Sequence, residues 1–123
     1  MRTLLAVLAL SQSLVLSLPA TAGETDQAAA VEALRQPNAI LIDVRTPEEV
    51  AEDGTLPGAL NIGYEDIGQH IAEVAPDKDA PIVLYCRSGR RAGIAQDSLQ
   101  ELGYSRVING GGYQDLKTAV HKD

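Results

Sequence analysis

Apolar residues fall along this chain in two rhythms. Ile40-Leu41-Ile42 and Ile82-Val83-Leu84 are short unbroken aliphatic runs, the pattern of strands covered on both faces. Ile67, Ile71 and Val74 recur at helical spacing, as do Ala95, Leu99 and Leu102, and then Tyr113, Leu116 and Val120. Val31 and Leu34 lie on an Ala-rich helical stretch that ends at Pro37, and brief strands are predicted at Ala59–Ile62 and Val107-Ile108. Asp53-Gly54 and Pro57-Gly58 mark turns, Gly103 a helix C-cap, and Thr46-Pro47-Glu48-Glu49 a capping box with Pro at the first helical position. Gly110-Gly111-Gly112 is read as a tight turn into the last helix, and Gly23 to Thr25 as too short for a strand. The predicted order is α-β-α-β-α-β-α-β-α with short connections. That order describes a three-layer α/β domain whose central, mostly parallel sheet has four to five short strands flanked by helices.

The beginning of the chain follows different rules. Arg2 is the only charge before Glu24, Leu4 to Leu18 is broken only by Ser11, Gln12, Ser13 and Ser17, and Pro19 leads into Ala20-Thr21-Ala22. A positive start, an apolar run of about 7–15 residues and an A-x-A end describe a secretory signal peptide. The run is shorter than the roughly 20 apolar residues of a spanning helix. Residues 1–22 are therefore expected to be an export leader cleaved after Ala22, and 23–123 one domain with no membrane segment left. In a Gram-negative source its compartment would be the periplasm.

Composition narrows the partners. The 123 residues hold 17 acidic and 10 basic side chains, and losing Arg2 with the leader leaves a net charge of −8. That balance argues against nucleic acid, whose phosphates need a basic face. The single cysteine, Cys86, makes no internal disulfide, and in an oxidising compartment an unpaired thiol signals reactivity. His70 and His121 lie far apart with no ligand-like spacing, so neither a metal nor a cofactor is expected. Nothing in the pattern asks for an obligate subunit interface, so a monomer is expected.

The chemistry concentrates in Tyr85-Cys86-Arg87-Ser88-Gly89-Arg90-Arg91, which joins a predicted buried strand to a helix. Ligands of parallel α/β sheets bind beyond the carboxyl ends of strands, and the next helix aims its free N–H groups at that loop. Gly89 gives the backbone freedom to curl those groups around one point. From Ala80 to Gln96 there is no acidic residue, so this acidic chain keeps three arginines, Arg87, Arg90 and Arg91, around its only thiol. Cations and a helix N-terminus favour thiolate, and the polar loop argues for an accessible thiol over a buried one.

Several stretches in order resemble the rhodanese superfamily, and within it the small single-domain sulfurtransferases. They are Leu41-Ile42-Asp43-Val44-Arg45 with Pro47-Glu48-Glu49, Gly54 to Ala59 with Asn61-Ile62, the Cys86 loop, and Asn109 to Tyr113, together spanning about Ala39 to Leu116. The resemblance implies a single rhodanese-like domain in which Cys86 is the catalytic sulfur acceptor. Thiosulfate or a similar anion would be the donor, and cyanide, a small thiol or a protein thiol the acceptor. It implies substrate binding by Arg87, Ser88, Gly89, Arg90 and Arg91, through backbone N–H groups and arginine side chains. Asp43 and Arg45 would be structural, with Arg45 pairing Glu49, and the run Glu48, Glu49, Glu52, Asp53 a solvated helix face. Thr55 stands where the family often has His, Tyr113 where Trp is common, and Ala92 where a small hydroxyl residue often follows the loop.

Two other readings compete. A non-catalytic sulfur-carrying or partner-docking module would share the fold, although such modules commonly lose the cysteine or the basic loop. A cysteine phosphatase or arsenate reductase also cradles an anion above a helix. Here, however, Arg91 follows Cys86 after four residues, one short of the spacing that admits a tetrahedral oxyanion.

Overall fold

A computed structural model of the chain describes residues 23–122. The leader reading, with its cleavage after Ala22, concerns residues outside this span. The elements follow the predicted order: α1 (Gln27–Leu34), β1 (Ile40–Asp43), α2 (Pro47–Asp53), β2 (Leu60–Asn61), α3 (Ile67–Val74), β3 (Ile82–Cys86), α4 (Arg90–Glu101), β4 (Val107–Gly112) and α5 (Tyr113–Val120). The sheet is four-stranded in the order β2-β1-β3-β4, and each pairing is parallel.

The sheet divides the core in two because strand side chains alternate. Along β3, Ile82, Leu84 and Cys86 face one way, joining Ile42, Val44, Ile67, Ile71, Ala92, Ala95 and Leu99 beneath α3 and α4. Val83 and Tyr85 face the other way, into Ala30, Ala33, Leu56, Tyr113 and Leu116 beneath α1 and α5. All five β3 residues are buried, as an unbroken aliphatic run predicts for a central parallel strand. The capping box forms: Glu49 N–H donates to Thr46 Oγ1, Thr46 N–H donates to Glu49 Oε1, and Pro47 opens α2. With no buried residue of its own, α2 owes its place to that cap and to its charged side chains.

Two expectations need correction. The glycine run is not simply a turn: β4 continues through Gly112, and a register shift between Leu84 and Cys86 brings Gly112 opposite Cys86. Glycine is depleted in strands, which hid this extension. Leu102 lies past the end of α4 and is 44% exposed rather than part of the core. Before α1 no strand forms among the described residues, as expected, although Thr25 makes an isolated parallel bridge to Asn109.

Candidate active site

Strand β3 ends on Cys86 and helix α4 begins at Arg90, leaving three residues to turn the chain. Gly89 sits in the left-handed region at φ 100° as the N-cap of α4, and its N–H donates to Cys86 Sγ at 3.0 Å. That bond aims a backbone dipole and the positive end of α4 at the sulfur. The structure corrects the expected exposure of the thiol: Cys86 is 0% exposed. Its place in the β3 alternation turns it under α4, and the loop backbone closes over it. The polar character read from the sequence belongs to Arg87, Ser88 and Arg90, whose side chains face solvent.

The loop leans on β4. A Cβ built at Gly112 would collide with the Arg87 carbonyl, and one at Gly111, which holds φ 93°, would meet the Thr25 side chain at 2.8 Å. Side chains are excluded here because strand and loop backbones touch.

The arginines are shared out unequally. Arg91 donates to both carboxylate oxygens of Glu49, at 2.8 and 2.9 Å, a fork-to-fork pair. Arg87 reaches Glu49 at 3.2 Å and Asp53 at 3.5 Å with its side chain 61% exposed. Arg90 enters none of the ion pairs formed among the described residues. The Arg91 hydrogen bonds hold the Glu49 carboxyl well below the usual carboxylate range, against a smaller opposing push from burial. The Arg91 guanidinium is correspondingly raised, first by Glu49. Glu49 and Asp53 are therefore loop contacts, whereas Glu48 and Glu52 remain the solvated face predicted for the whole run.

Arg45 does not pair with Glu49 as expected. Asp43 and Arg45 are two residues apart at the end of β1 and share a face, so the guanidinium turns back onto Asp43 at 2.6 and 2.9 Å. Both are buried, at 0% and 1% exposure respectively. Arg45 also donates to the Gly54 carbonyl at 2.7 Å and lies 4.5 Å from the Tyr113 ring centroid. Burial pushes the Asp43 carboxyl up, but bonds from Arg45 and Thr55 outweigh it and the carboxyl is lowered. An ionised carboxylate only accepts, so Thr55 donates to Asp43 at 2.8 Å. Tyr85 must then donate to Thr55 at 2.6 Å while accepting the Leu56 N–H at 2.9 Å. Burial pushes the Tyr85 hydroxyl up to about 12, keeping it a donor. Thr55, Tyr85 and Tyr113 thus form one braced network on the opposite side of the sheet from Cys86. Sequence reasoning overlooked Tyr85, whose alternation with Cys86 was the available signal.

At the same end of the sheet a groove of about 560 Å³ runs past Thr46, Pro47, Tyr64, Glu65, His70 and Arg91. Among the described residues no cluster of His, Cys, Asp or Glu is grouped to hold a metal ion, and no helix is long and apolar enough to cross a membrane.

Comparison with known proteins agrees with this geometry. The rhodanese-like domain family matches residues 26–119. Thiosulfate sulfurtransferase PspE of Escherichia coli (strain K12) is 40% identical over 75 residues, which cover 61% of this chain and 71% of that one. Among solved structures, a rhodanese with anions from E. coli aligns at 38% identity and a TM-score of 0.58, covering 63% of this chain and 89% of that one. The human single-domain sulfurtransferase TSTD1 aligns at 30% identity and a TM-score of 0.56, covering 70% and 88%.

Proposed function

The chain belongs to the rhodanese-like family, and from that premise we propose that it is a thiosulfate sulfurtransferase working through a persulfide on Cys86. The Cys86 thiolate attacks the outer sulfur of thiosulfate. A new S–S bond forms as the bond to the inner sulfur breaks, and its electron pair leaves with sulfite. A second nucleophile then removes the outer sulfur and returns the thiolate: cyanide leaves as thiocyanate, or a thiolate leaves as its own persulfide. The result is ping-pong covalent catalysis.

The observation that carries this reading is the 3.0 Å bond from Gly89 N–H to Sγ at the start of α4. The other N–H groups from Arg87 to Arg91 would join that of Gly89 in stabilising charge on the attacking sulfur and on the terminal persulfide sulfur. Ser88, Gly89 and Arg90 bind the dianionic donor, Arg90 and the solvent-facing Arg87 supply field, and Arg91 anchors the loop through Glu49. Because Cys86 is wholly covered, the loop opens to admit a donor and closes on the persulfide. Residues 1–22 are proposed as the leader that exports the domain, to the periplasm in a Gram-negative cell.

Intact mass of the mature protein tests the reaction and the cleavage site together. Incubation with thiosulfate should add about 32 Da, one sulfur held covalently. Cyanide should remove it, and Cys86→Ser should never acquire it. A reduced, folded protein that gains no mass would eliminate thiosulfate as donor and favour the docking module.

A further inference from the structure

Behind the Cys86 loop lies a side chain that the proposed chemistry does not use. Asn109 on β4 is 1% exposed, and its carboxamide is fully engaged. Its Nδ2 donates to the Gly23 carbonyl at 2.7 Å and the Gly89 carbonyl at 2.9 Å, while Oδ1 accepts the Gly111 N–H at 2.9 Å. Two acceptors on one side and a donor on the other fix which end is nitrogen. One side chain therefore ties together the segment before α1, the loop over the thiol and the glycine run of β4. The same residue's carbonyl accepts Asp26 N–H at 2.8 Å.

Gly89 needs such a tether. It must hold φ 100° for its N–H to face Sγ, and a glycine has no Cβ to keep it there. Its carbonyl accepts the first bond of α4, from Gly93 N–H at 3.0 Å, together with the Asn109 bond. The two hold the Gly89–Arg90 peptide unit from separate directions, and the Ser88–Gly89 unit, whose N–H meets the sulfur, hinges on it at the Gly89 Cα. Thr25 closes the remaining side, since a Cβ at Gly89 would meet its Oγ1 at 2.8 Å.

We propose that Asn109 is a positioning residue for Cys86: it anchors the Gly89–Arg90 peptide unit, across the Gly89 Cα from the N–H that meets the thiol, and so helps keep that N–H aimed at sulfur. The role rests on Cys86 being the reactive thiol of the proposed function. The test is the pH profile of Cys86 alkylation by iodoacetamide in Asn109→Ala, a neutral change that leaves Arg91, its partner Glu49 and Arg87 in place around the thiol. With a charge-assisted hydrogen bond misaimed, the midpoint of the profile should shift to higher pH relative to the unaltered protein, whatever the limiting rate that loop opening allows. Tyr104→Phe is the control, because it removes a buried bond of 2.7 Å to the Ala75 carbonyl away from the loop. It should lower stability while leaving the profile in place.

A folded Asn109→Ala protein with the unaltered profile would overturn the proposal. If that variant does not fold, hydrogen exchange in the unaltered protein decides. The Gly89 amide and the Asn109 carboxamide should exchange far more slowly than the amides of the same segments in the unfolded chain, and unprotected rates at these two would overturn the lock. The mass experiment separates this inference from the function: a shifted profile without any persulfide defeats only the sulfurtransferase, and a normal persulfide with an unmoved profile defeats only the lock.

Discussion

The ends of β1 and β3 lie side by side in the sheet, with Asp43 in register with Tyr85, yet they are built from different materials. At the end of β1, side chains do the holding in a relay: Arg45 and Thr55 donate to Asp43, and Tyr85 donates to Thr55. At the end of β3, backbone does the holding: a glycine N–H faces the thiol, and glycines of β4 let the strand press against the loop. The difference teaches where rigidity and reactivity can coexist. A network of side chains bonded to one another is stable but has little bonding capacity left for a substrate. A loop of backbone N–H groups can hold one sulfur and still turn toward another. Alternation along β3 keeps the two apart, with Tyr85 on one face and Cys86 on the other.

The largest effect should come from breaking the β1 end. Arg45→Ala leaves Asp43 buried without its partner, and stranding one member of a buried pair costs about 3–5 kcal/mol. Thermal or urea unfolding should record that loss, while the fraction still folded keeps its persulfide chemistry. Selective loss of chemistry without loss of stability would contradict the division.

The next effect belongs to the β3 end and should read the other way. Gly112→Ala drives a methyl into the Arg87 carbonyl, displacing the loop over the thiol. Misplacing reacting groups by about 1 Å can cost about 100-fold in rate. Sulfur transfer should therefore fall by about that factor, with the β1 network intact by near-ultraviolet circular dichroism. Wild-type turnover in Gly112→Ala would mean that the loop does not lean on β4.

Glu49 joins the two regions, being capped at α2 and clamped to the loop arginine. Its folded carboxyl is lowered from 4.5, first by the Arg91 bonds. The unfolded chain therefore binds the proton first, and stability rises with pH across this range. The contribution is complete above about 4.5 and is lost as pH falls from there through the lower folded value. Glu49→Gln should flatten the acid limb of a stability-versus-pH curve. At neutral pH the loss should be about 2 kcal/mol, the scale of hydrogen bonds to charged groups. An unchanged acid limb would show the clamp to be energetically idle.

The same contrast explains what was legible in the sequence. Aliphatic runs, helical spacing and the capping box of α2 revealed the nine elements in order, and the central strands were plainest because burial on both faces leaves no polar residue to blur them. Cys86 and its loop stood out as a lone thiol amid arginines. What stayed hidden was partnership. Glu49 was assigned to Arg45 because both lie in one short segment, whereas the fold gives it to Arg91, 42 residues on. Exposure of the thiol was misjudged because polarity of side chains says nothing about a backbone that folds over the residue before them. The glycine run was read as a turn because a strand made for close backbone contact carries no apolar signal.

The smallest effect is the sharpest test of independence. Tyr85 precedes the thiol directly and carries the hydroxyl that completes the β1 relay. Tyr85→Phe leaves the Leu56 N–H without its acceptor and Thr55 without its donor, a loss of about 1 kcal/mol for each neutral hydrogen bond. Since the ring points away from Cys86 across the sheet, the persulfide loading rate should stay within about twofold of wild type, even though the altered residue is bonded directly to Cys86. A drop of tenfold or more with the stability loss still small would mean that the relay reaches through the strand backbone to the sulfur. The two strand ends would then be one site.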